Sequence, residues 1–65
     1  MPNIDYPLFV QLLKTKEDNK QITREKATNL RNIVSTIARP ACPKKMVDVF
    51  ARQVNFALGT EVVKL

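Results

Sequence analysis

The sequence predicts an all-α fold: a single small three-helix domain over residues 1–65, finished by a short extended tail. Three observations carry this. Apolar residues recur at helical spacing in three separate blocks. The blocks are divided by a charged segment with no apolar residue and by a pair of prolines three apart, and the one glycine stands where the third block stops. Helices are expected at about 5–16, 23–38 and 44–58, with the tail at 60–65.

Residues 1–4 read as a short arm, because Pro2 and Asn3 suit a helix interior poorly. Asp5 can cap the first helix with its carboxylate, and Pro7 fits the opening turn, where its missing donor costs nothing. Leu8, Phe9, Leu12 and Leu13 then form an apolar stripe flanked by Tyr6 and Val10. Residues 14–21, KTKEDNKQ, hold no apolar side chain and read as a solvated connection, so the helix is expected to end near Lys16.

The central block, TREKATNLRNIVSTIAR at 23–39, has the cleanest amphipathic pattern. Thr23 is its expected N-cap, and Glu25 in the first turn and Arg39 in the last complement the helix dipole. Ala27, Leu30, Ile33, Val34, Ile37 and Ala38 share the core side, while Arg24, Thr28, Arg31, Asn32, Ser35 and Arg39 lie opposite. Residues 39–45, RPACPKK, stop the helix, since the residue before each proline is pushed away from helical angles. Pro43 can open the third helix and Gly59 can close it as a left-handed cap.

Met46, Val47, Phe50, Ala51, Val54, Ala57 and Leu58 are its expected core face. Val49 and Phe56, seven apart, fall well off that arc and read as a contact surface. In the tail, TEVVKL, residues Val62, Val63 and Leu65 favour an extended strand. A helical chain offers such a strand no partner, so it is expected to pair with its own copy in a dimer or to pack on the third helix.

A chain of 65 residues buries only about 60% of its unfolded surface, which favours a homodimer as a way to enlarge the core. Histidine is absent and Cys42 is the sole cysteine, so neither a disulfide framework nor a zinc cluster can form within the chain. A lone cysteine fits a reducing compartment, and cytoplasm is the expected location. No apolar run approaches the ~18–20 residues of a membrane span. MPNIDYP lacks the basic and apolar regions of a signal peptide, so no membrane partner is expected.

Catalysis is not expected. There is no histidine base, the six carboxylates are scattered, and one glycine cannot build a phosphate-cradling loop. No metal, cofactor or small-molecule substrate is implied.

The charge points elsewhere. The chain carries eleven Lys and Arg against six Asp and Glu, a formal net charge of +5, and residues 26–47 hold five basic residues and no carboxylate. Arg24, Arg31 and Arg39 interleave with Thr28, Asn32 and Ser35, side chains able to contact bases as well as phosphates, and Lys44 and Lys45 suit phosphates at a helix N-terminus. The first expectation is therefore a small, dimeric DNA-binding regulator using this face, its central and third helices forming a helix-turn-helix-like unit across the proline connector. The alternative is a helical adaptor or inhibitor that docks on a larger protein through Val49, Phe56 and the tail residues Val62, Val63 and Leu65.

Overall fold

A computed structural model describes residues 2–65; Met1 lies outside them. The element order is β1 (Asn3–Ile4), α1 (Tyr6–Asp18), α2 (Arg24–Ile37), α3 (Lys44–Leu58) and β2 (Val63–Lys64). The three expected helices are present, and the predicted all-α class holds.

Their ends follow local chemistry. The Asp5 carboxylate accepts from the Leu8 N–H at 3.2 Å, and the Thr23 hydroxyl accepts from the Lys26 N–H at 3.0 Å. Each thereby satisfies a donor that the first turn leaves without an intrahelical partner. Gly59 closes α3 at φ +69°, a conformation that costs glycine no side-chain clash.

α1 runs two residues past the expected Lys16. The Lys20 N–H donates to the Glu17 carbonyl at 3.1 Å and the Gln21 N–H to the Lys16 carbonyl at 2.8 Å, with Lys20 itself at φ 59°. This is a Schellman closure carrying lysine where glycine is usual, so its sequence gives no sign of it. At the other boundary α2 is capped by Ala38, which puts Arg39 in the connector at 38–43 rather than in the last helical turn.

The core is built from one stripe of each helix: Phe9 and Leu13; Ala27, Leu30, Val34 and Ile37; Val47, Ala51, Val54 and Leu58. Each large member contributes roughly 1.5–3 kcal/mol by leaving water. α2 and α3 pack on each other more extensively than either packs on α1. Met46, expected in this core, is exposed. It stands on the first turn of α3, beside Thr36 at the C-terminal end of α2 and the connector, at the open edge of the α2–α3 packing.

The tail packs on α3, one of its two expected places, but its strand partner is not the expected one. β2 pairs antiparallel with β1, Asn3 opposite Lys64 and Ile4 opposite Val63, and the Asp5 N–H donates to the Val62 carbonyl at 2.9 Å. The partner strand thus comes from the chain's own N-terminal arm. Val62 and Val63 are 0% and 1% exposed and belong to the core, which corrects their expected role as interface residues. Asn55 of α3 anchors them. Its Oδ1 accepts from the Val62 and Val63 N–H groups at 2.9 and 3.0 Å, and its Nδ2 donates to the Val63 carbonyl at 3.0 Å.

Candidate functional site

Two surfaces emerge from this packing. The first is the polar face of α2. Arg24, Thr28, Arg31, Asn32 and Ser35 are all exposed on it, and Arg39, Lys44 and Lys45 are exposed at the connector and the first turn of α3. The helical period of α2 turns these α2 residues outward because Leu30, Val34 and Ile37 must point in.

Folding also brings acids to this basic stretch. Glu17 Oε1 lies 3.9 Å from Arg31 Nη2, a surface pair of small energetic weight, and Asp18 lines the same groove. Asp48 shares a recess with Arg39 and Lys44. The stretch that is free of carboxylates along the chain is therefore not free of them in space. Two of its polar side chains are also engaged locally: the Thr28 hydroxyl donates to the Arg24 carbonyl at 3.1 Å and the Thr36 hydroxyl to the Asn32 carbonyl at 2.9 Å. What favours an anion here is the first turn of α3, whose cap Pro43 offers no side-chain acceptor, leaving N–H groups beside Lys44 and Lys45.

The second surface is the outer face of α3. With Val47, Ala51, Val54 and Leu58 inward, the helical period carries Lys45, Val49, Arg52 and Phe56 to the opposite side, at successive spacings of four, three and four. Val49 is half exposed and Phe56 is 90% exposed, the most exposed of the large apolar residues among those described. Arg52 lies between Val49 and Phe56 in this row, and Lys45 lies one turn before Val49. The helix's only carboxylate, Asp48, turns instead toward the recess that holds Arg39 and Leu65. Leu65 is exposed but sits at the N-terminal end of α3, far along the helix from Phe56.

A third feature includes only Arg31 and Ser35 of the expected site residues. α1 and α2 splay to leave an open groove of about 570 Å³, with Phe9, Leu13 and Val34 in its floor and Tyr6, Val10 and Ala38 at one end. Lys14, Glu17, Asp18 and Arg31 line the other end. Tyr6 and Val10 are 50% and 59% exposed. Their signal was present in the sequence as two apolar residues beside the α1 stripe, but the groove depends on the separation of two helices, which no spacing encodes.

Among the described residues no cluster of three or more His, Cys, Asp or Glu is placed to hold a metal ion, and no helix is long and apolar enough to cross a membrane. No known protein family, curated protein or solved structure matches the chain.

Proposed function

We propose that the chain is a protein-binding module that docks through the outer face of α3. The observation that supports this reading is Phe56. A phenylalanine carries roughly 150–250 Å² of surface, and burying it in a partner contributes about 1.5–3 kcal/mol. Placing it in water beside Val49, on a helix whose other face already supplies the core, brings no folding benefit. Arg52 between Val49 and Phe56, with Lys45 one turn before Val49, adds positive charge to the row and favours a partner that places a carboxylate beside it. Val62 and Val63 have no part in this surface; Val49 and Phe56 carry it. The test is affinity capture with wild type and Phe56→Asp as baits. Loss of the captured proteins with Phe56→Asp is expected, and the same set on both baits contradicts the reading.

Binding to double-stranded DNA is the second reading. It is favoured by the uncapped first turn of α3 beside exposed Lys44 and Lys45, with Arg39 nearby, and by the +5 charge. The adjacent acids Glu17, Asp18 and Asp48 count against it, since each repels a phosphate backbone. Binding to a random duplex that is tight at low salt and falls steeply with salt supports this second reading. No binding at low salt removes it.

A further inference from the structure

Both exposed apolar surfaces, the α3 row and the α1–α2 groove, lie on one small chain, and they match each other. We propose that the α3 row of one copy seats in the α1–α2 groove of a second copy, head to tail, with Phe56 at the apolar end and Lys45 at Asp18. This rests on the reading of α3 as a docking face and names its occupant.

Length is the first reason. Eleven residues separate Lys45 from Phe56, about 16 Å of helix, and twelve separate Tyr6 from Asp18, about 18 Å along the groove. Polarity is the second. The row has its aromatic at one end and a lysine at the other, and the groove runs from Tyr6, Val10 and Ala38 to a charged end. There Arg31 engages Glu17, while Asp18 has no ion-pair partner among the described residues. Mode is the third: a helix row in an apolar groove is a recurrent way for helical segments to bind.

No residue of α3 lines the groove, so the two surfaces of one molecule face different ways. The contact joins unlike patches and propagates from copy to copy rather than closing as a simple two-fold dimer. One feature opposes tight association. In this register Lys14 on the groove wall falls level with Val49, about one helical turn from both Lys45 and Arg52, and these like charges weaken the contact.

Two variants separate the halves of the interface. Phe56→Asp removes the row and leaves the groove; Val10→Lys blocks the groove and leaves the row. Both positions are exposed, and circular dichroism checks that each variant keeps its helices. In sedimentation velocity the wild-type average mass is expected to rise with concentration. Each variant alone is expected to stay monomeric, and an equimolar mixture of the two to form a one-to-one dimer. Lys14→Glu in the wild-type chain is expected to tighten association severalfold. A wild type that stays monomeric near millimolar concentration, a mixture that stays monomeric, or a single variant that still associates overturns the proposal. Such a result leaves capture through Phe56 unaffected, so failure of the second-copy occupant is distinguishable from failure of the α3 docking face.

Discussion

Asn55 does for the tail what a neighbouring strand would do: one side chain answers two N–H groups and one carbonyl of Val62 and Val63. Replacing it by alanine takes the partner from the Val63 N–H and carbonyl in a half-buried setting, while the Val62 N–H keeps the Thr60 carbonyl at 2.9 Å, and a loss of about 2–3 kcal/mol is expected in chemical denaturation. Asn55→Asp keeps the acceptor and loses the donor, so it should fall between the two. Two backbone positions test the same scale. A Cβ at Gly59 would meet nothing within 4 Å, so the cost of Gly59→Ala is the left-handed backbone alone, about 1 kcal/mol. Lys20→Gly relieves the same conformation at the end of α1 and is expected to raise stability by about 0.5 kcal/mol. Gly59 was legible in the sequence because glycine is the usual left-handed cap. Asn55 and Lys20 were not, since a polar residue on a helix and a lysine in a charged loop look ordinary until their backbone partners are known.

At the scale of elements, the helices were legible because each is specified locally by a cap and a 3.6-residue period. The two faces of α3 were legible for the same reason: Val49 and Phe56 were placed outside the core by spacing, and both are exposed. That separation makes a sharp prediction. Phe56→Asp should change the denaturation free energy by less than about 0.5 kcal/mol, because the side chain contributes almost nothing to the core. A large loss of stability would show that Phe56 packs in the folded chain, and the docking face would lose its basis. The tail strand was legible in its β-branched residues, but β1 was not, because it is two residues long and Asn3 has little strand preference. Only the position of its partner makes it a strand.

In the whole molecule, the two ends of the chain meet, so the tail is part of the core rather than an appendage. Removing residues 62–65 takes away two fully buried valines, worth roughly 1.5–3 kcal/mol each, and uncovers Asn55. A domain this small has little margin, so the truncated chain is expected to lose its cooperative thermal transition. Charge also reads differently at this scale. The acid-free stretch was visible along the sequence, but folding sets Glu17, Asp18 and Asp48 against it, and the apolar row of α3 becomes the surface with one sign of charge at its centre. Proximity of this kind is set by helix packing, which the sequence pattern leaves open.

The most direct test of α3 as a docking face is photo-crosslinking from position 56 in living cells. A photoreactive phenylalanine analogue replaces Phe56, with the same analogue at exposed Gln11 as control. A discrete protein adduct formed from position 56 and not from position 11 is the result the account predicts. Equal labelling from both positions, or no protein adduct from position 56, would contradict it.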